Sequence, residues 1–149
     1  MHFTLERDPT CYGIHAYDRG EITITIPRAL DAQHPQAHTD KVTPLQPPVR
    51  RETRHRSLVL MPQRLFDWPP QRFEDLTRAH FDILAEQDVE LILFGSGARL
   101  RWPAHDLLVS LMERGIGIEV MDTGAACRTY NILMSDRRRF AAALLMIES

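Results

Sequence analysis

Cysteine is scarce in this chain of 149 residues: Cys11 and Cys127 are the only two. They permit one bridge at most and form no Cys-x-x-Cys pair, which excludes a disulfide framework. Long apolar runs are missing as well. The longest, Leu58–Met61 and Ala141–Ile147, fall far short of the ~20 residues that a membrane-spanning helix needs. No sign of charge dominates. Eighteen basic side chains, all but Lys41 arginine, face twenty acidic ones, a formal net charge of −2. That balance argues against a dedicated nucleic-acid or membrane-surface binder. The start, Met1-His2-Phe3-Thr4-Leu5-Glu6-Arg7-Asp8, lacks the basic flank and apolar core of a secretory signal. Its two acids also argue against a mitochondrial transit peptide. The expectation is a cytoplasmic protein.

The common catalytic signatures are absent too. There is no Gly-x-Ser-x-Gly elbow and no His-Glu-x-x-His. The pair Gly95-x-Gly97 lacks a third glycine at the dinucleotide-binding spacing, and no Gly-Lys-Ser/Thr follows. The seven histidines are scattered. His34 and His38 are four apart, but Pro35 lies between them and no third ligand sits at a recognisable spacing. No metal and no cofactor is expected.

What is present is enough for one domain. A chain of this size buries about 68–70% of the surface its unfolded form would expose. It therefore needs neither metal nor disulfide to fold. Residues 12–26 read as a β-hairpin. Ile22, Ile24 and Ile26 alternate with Thr23 and Thr25, the period of a half-buried strand, and Asp18-Arg19-Gly20 supplies the turn. Residues 27–55 are broken by Pro27, Pro35, Pro44, Pro47 and Pro48. No regular element is expected there, only a proline-rich loop or arm with a basic tail, Arg50–Arg56.

From residue 57 the pattern is α/β. Ser57–Met61 and Val89–Phe94 are apolar, strand-like runs. Phe73, Leu76, His80, Ile83 and Leu84 recur at helical spacing, predicting a helix over about 73–86. Pro103 and Gly115 suit the start and the end of another helix. Ile116–Met121 reads as a strand, and Asp122 or Thr123 can cap a helix running to about Met134. Asp136–Arg139 turns the chain into a closing strand, Phe140–Ile147. Strands alternating with helices imply parallel pairs with right-handed crossovers. The expected fold is α/β with three layers: a mixed sheet, flanking helices and an N-terminal hairpin.

Two strand-to-helix turns are candidate chemistry. Gly95, Ser96 and Gly97 follow one strand, and Asp122, Thr123 and Gly124 follow the next. Both fall where ligands bind in open α/β sheets, and free N–H groups at a helix start favour anions. The plainer reading, that glycines permit tight turns and Thr123 caps a helix, is preferred. Cys127 with Arg128 beside it, in the first turns of the helix, has the setting of a lowered thiol pKa. A buried structural thiol is the preferred reading, since free cysteine is among the most buried residue types. Glu119 falls on the opposite face of its strand from Ile116, Ile118 and Val120. There it needs a partner such as Arg128 or Arg138, and a structural ion pair is preferred over a perturbed acid. Arg137-Arg138-Arg139 is read as solvated. A nucleic-acid role would rest on the two arginine clusters alone.

The run Gly115-Ile116-Gly117-Ile118-Glu119-Val120-Met121-Asp122-Thr123-Gly124-Ala125-Ala126-Cys127-Arg128-Thr129-Tyr130-Asn131 resembles the signature of the Mth-like domain family. Its members are small proteins of largely unknown function, and they include a mitochondrial assembly factor of respiratory complex I. His15–Gly20, Leu58–Pro62 with Trp68, Leu91–Gly97 and Ala142–Leu145 match in the expected order. This chain has Asp136-Arg137-Arg138 where the family often has Glu-Gly-Arg, and residues 27–55 look longer than the family's connection. The resemblance implies a three-layer α/β fold and no established catalytic residues. By analogy it implies assembly or interaction work with protein partners. The leading expectation is therefore a non-enzymatic interaction or assembly protein, linked to respiratory complex assembly. The alternative is a small-molecule or anion-binding protein, an unrecognised enzyme included, built on the Gly95–Gly97 and Asp122–Arg128 turns.

Overall fold

In the computed structural model, which describes residues 10–33 and 49–148, the isoleucine alternation forms the middle of a small antiparallel sheet. Strand β1 (Gly13–Asp18) pairs with β2 (Glu21–Pro27), and β2 pairs on its other edge with β3 (Val49–Arg54). Ile22, Ile24 and Ile26 are fully buried.

Strand β3 and a 3-10 stretch at Arg28–Gln33 correct the expectation that residues 27–55 lack regular structure. Pro27 ends β2, and Pro47 and Pro48 stop just short of β3, so no proline interrupts a ladder. Strand β3 carries almost no apolar residues. Two of its three guanidiniums are neutralised locally: Arg50 pairs with Asp31 at 3.0 Å, and Arg54 pairs with Glu52 at 2.6 Å and Asp67 at 3.1 Å. His34, His38 and most of the proline-rich stretch lie outside the described residues.

The second sheet is mixed. It contains β4 (Leu58–Met61), β5 (Arg64–Asp67), β6 (Leu91–Gly95), β7 (Gly117–Met121) and β8 (Phe140–Leu144), in the order β5-β4-β8-β6-β7. Strand β6 runs parallel to both β7 and β8, whereas β4 is antiparallel to β8 and β5. The last strand in the chain is thus the central one. Period-two alternation sends its residues to two separate cores. Val59, Ile92, Phe94, Ala141, Ala143 and Leu145 face one way, and Leu58, Leu60, Leu91, Leu93, Ala142 and Leu144 face the other.

The first core is covered by α1 (Arg78–Ala85) and α2 (Val109–Glu113), through Phe81, Leu84 and Leu111. Trp68 lies at its centre, fully buried, with its ring edge-on to Phe81 and Phe94. Its Nε1 donates to His80 O at 3.2 Å. The second core is covered by α3 (Thr123–Leu133), through Ala126, Cys127 and Tyr130, and by the isoleucines of β2. Three layers result, as expected. The step from β6 through α2 to β7 and the step from β7 through α3 to β8 move in opposite directions along the sheet. Crossovers of one hand then place the two helices on opposite faces.

Two predicted helices are shorter than their apolar periodicity. Residues 73–75 form a 3-10 turn, Leu76 is extended, and the α-helix starts only after Thr77, which closes a capping box with His80. The Thr77 N–H donates to His80 Nδ1 at 3.0 Å, so the ring must be neutral to accept it. Desolvation holds the His80 pKa below its ordinary value, against the pull of Asp75. After Pro103 the chain makes another 3-10 turn, His105–Leu108, before α2. At the exit of α3, Arg137 adopts φ +59°. This is the left-handed conformation, which residues with a Cβ rarely take.

Candidate functional site

The two turns singled out by their sequence meet at the carboxyl ends of β6 and β7. Ser96 N–H donates to Met121 O at 2.9 Å, and Thr123 N–H donates to Gly97 O at 2.9 Å. Thr123 is fully buried and fastens three segments with one hydroxyl. Its Oγ1 accepts from Gly97 N at 2.9 Å and donates to Leu145 O at 2.7 Å. This approach is why residue 95 is glycine: a Cβ there would lie 2.9 Å from Thr123 Oγ1 and 3.0 Å from its Cα. Gly97 serves a different need, a φ of +103° that side-chain-bearing residues rarely adopt.

Ser96 is likewise consumed. Its buried hydroxyl shares its proton between Arg99 O at 2.7 Å and Met121 O at 3.1 Å, and it accepts from Arg101 N at 3.0 Å. Asp122, rather than Thr123, is the N-cap of α3, with its Oδ1 accepting from Ala125 N at 2.8 Å. The next N–H along the glycine turn, Ala98 N, donates to Glu148 Oε1 at 2.9 Å. Three of the donors at these turns, Gly97 N, Ala125 N and Ala98 N, are therefore engaged by Thr123, Asp122 and Glu148.

Further along α3, Gly124 is buried beneath the Tyr17 ring. Arg128 is exposed, donates to the Tyr17 hydroxyl and holds its guanidinium 5.9 Å from that ring's centre. Cys127 is fully buried. Burial pushes its thiol up to about 12, and the neighbouring Arg128 charge offsets this only partly. Desolvation outweighs the helix end, so almost no nucleophilic thiolate exists near neutral pH.

Glu119 corrects the expectation of a covered carboxylate. It is exposed, because β7 is an edge strand and α3 lies over β6 and β8 instead. Its expected partners are engaged elsewhere: Arg128 with Tyr17, and Arg138 with Glu90 at 3.5 Å. The structure thus gathers Gly95, Ser96, Gly97, Asp122 and Thr123, strings Gly124, Cys127 and Arg128 along the helix that follows, and leaves Glu119 apart.

Two residues of the same run had drawn no role from sequence. The Asn131 side-chain amide clamps Ile14, accepting from its N–H at 2.9 Å and donating to its C=O at 2.7 Å. It copies a strand partner along the free edge of β1, beside the register shift between Ile14 and Ala16. The buried Tyr130 hydroxyl donates to Tyr12 O at 2.9 Å. The signature run thus joins α3, the mixed sheet and the hairpin.

The family described as "Protein of unknown function (DUF498/DUF598)" matches residues 46–145. The chain belongs to this family. It is similar to NADH dehydrogenase (ubiquinone) 1 alpha subcomplex assembly factor 3 of Danio rerio, 34% identical over 88 residues, which cover 58% of this chain and 51% of that protein. The chain spans about half the length of such relatives. Solved structures are similar over most or all of the chain. A crystal structure from Bordetella parapertussis superposes with a TM-score of 0.68 at 28% identity, covering 92% of this chain and 97% of that one. A solution structure from Bordetella pertussis, described as a Mth938-like domain, gives 0.67 at 25% identity, covering 100% and 94%. Among the described residues no helix is long and apolar enough to cross a membrane.

Proposed function

We propose that this family member is a non-enzymatic, assembly-factor-like interaction protein that serves the assembly of a respiratory complex. The observation that carries this reading is the 34% identity to the complex I assembly factor over 88 residues. The geometry of the signature run supports it. Asp122, Thr123 and Asn131 each spend side-chain atoms on internal bonds, as does Ser96 in the glycine turn that Thr123 fastens, which leaves the run as a fastener of layers. Protein partners are the ligands this reading requires, and the cytoplasm is the compartment it starts from.

The test is a pull-down at native expression, run separately on soluble and membrane fractions. Subunits or assembly intermediates of a respiratory complex should be recovered reproducibly, and recovery of no reproducible partner would overturn the reading. Thiol labelling checks the competing idea of a reactive site. Cys127 should label only after unfolding, whereas rapid labelling of the native protein would favour an enzyme.

A further inference from the structure

Beyond the outer side of the Gly97–Ala98 turn the surface opens into a cleft of about 440 Å³. Four segments distant in sequence supply its charged walls: Arg19 from the β1–β2 turn, Arg72 and Glu74 ahead of α1, Arg99 and Arg101 after β6, and Glu148 after β8. Arginines outnumber carboxylates four to two.

One carboxylate is already committed. Arg101 NH1 donates to Glu74 at 3.1 Å and its guanidinium stacks 4.3 Å above the Phe73 ring, while its buried Nε has no hydrogen-bond partner. Among the described residues no carboxylate lies within ion-pair distance of Arg19, Arg72 or Arg99. Unpaired guanidiniums converging on a concavity form a receptor for carboxylate or phosphate groups.

The second carboxylate indicates what kind of molecule fits. Glu148 rests on Ala98 N, and the residue before it accepts a hydrogen bond from Gly20 N at 2.8 Å through its C=O. The cleft wall already holds an acidic side chain carried on a peptide backbone. The loop that carries Arg99 and Arg101 also exposes Leu100 and Trp102, at 54% and 66% of their surfaces. Tryptophan and arginine together are the residue types that dominate binding energy at protein interfaces.

We infer that this cleft docks an acidic segment of a protein partner, whose carboxylates pair with Arg19, Arg72 and Arg99 and whose apolar neighbours pack on Leu100 and Trp102. The inference rests on the protein-binding role proposed above and gives it a surface and a partner chemistry.

The probe is the peptide Ac-Glu-Glu-Leu-Glu-Glu-Leu-amide, titrated while Trp102 emission is read, with Trp102→Phe confirming the source of the signal. Its glutamine counterpart and inorganic pyrophosphate are titrated in parallel. Saturable binding is expected. It should weaken at least tenfold for the glutamine peptide and for the Arg72→Glu, Arg99→Glu double variant, and it should fall as salt rises. Both substituted side chains are exposed, so the double variant should melt with the wild type. Equal binding by wild type and double variant, or no saturable peptide binding, overturns the inference. Tight pyrophosphate binding that excludes the peptide overturns it in favour of a small anion. A pull-down separates the two levels. A partner recovered equally by wild type and double variant refutes the cleft and leaves the proposed function standing. Failure of the wild type to recover any partner refutes the proposed function, and the partner assignment with it.

Discussion

Two neighbouring stretches leave strand β6 within eight residues of each other and behave in opposite ways. Residues 95–97, locked to Thr123, are buried, and their donors and acceptors are internally paired. Residues 98–102 are largely exposed, carrying the apolar Leu100 and Trp102 and an Arg99 with no ion-pair partner among the described residues. The stretch with a recognisable pattern is the one that holds the fold. The stretch without a pattern is the one able to meet another molecule. Recognisable sequence and available chemistry are therefore separate properties here, even a few ångströms apart.

The contrast can be broken most sharply from the closed side. Asn131→Leu removes both bonds to Ile14 and orphans a backbone donor and acceptor. At ~1–3 kcal/mol for each buried unpaired group, it should cost about 3 kcal/mol in urea unfolding. Gly95→Ala drives a methyl against the Thr123 backbone and should cost about 2 kcal/mol by overpacking, measured the same way. A loss as small as that of a surface substitution in either variant would mean the turns are less tightly fastened than their distances indicate.

Next comes a pH effect. His80 has a folded pKa below its ordinary value of 6.5, so as pH falls the unfolded chain takes up the proton first. The stability from neutral His80 is fully present above about pH 6.5 and is lost as pH drops through that value toward the lower folded one. Thermal unfolding between pH 7 and 5 should show this slope, and His80→Gln, which can still accept from Thr77 N–H, should flatten it.

On the open side, Leu100→Ser and Trp102→Ser should each shift stability by less than about 0.5 kcal/mol. A larger loss would show that this loop, too, is part of the fold's fastening.

Much of the architecture was legible because it rests on periodicity. Ile22, Ile24 and Ile26 announced β2, and the continuous apolar runs at Val89–Phe94 and Phe140–Ile147 announced β6 and β8. Strand β3 was hidden because its ladder is held by backbone pairing and by Arg50 and Arg54 ion pairs, with no apolar rhythm to read. Residues Arg64–Asp67 are too few to establish one. The helix expected over 73–86 was misjudged at its start, since Thr77 and His80 form a cap inside an otherwise continuous stripe. Glu119 was misplaced because strand order, which makes β7 an edge, is not written in the residues of β7. That Gly95–Gly97 and Asp122–Thr123 lie at the carboxyl ends of parallel strands followed from the alternation of strands and helices. The arginine cleft was not, because residues 19, 72, 99 and 101 come together only through the fold.

The position of β8 also governs how the molecule can assemble. Leu58 pairs with Leu144, and Leu91 with Phe140, so β8 is the strand shared by the β4–β5 hairpin and the β6–β7 pair. Until residues 140–144 arrive, these halves have no ladder in common and each presents an open edge. Closure over so long a span is slow relative to local hairpin and helix formation. Refolding should therefore be paced by the insertion of this one strand, and the interval before it is when the chain is most exposed to pairing with another copy of itself.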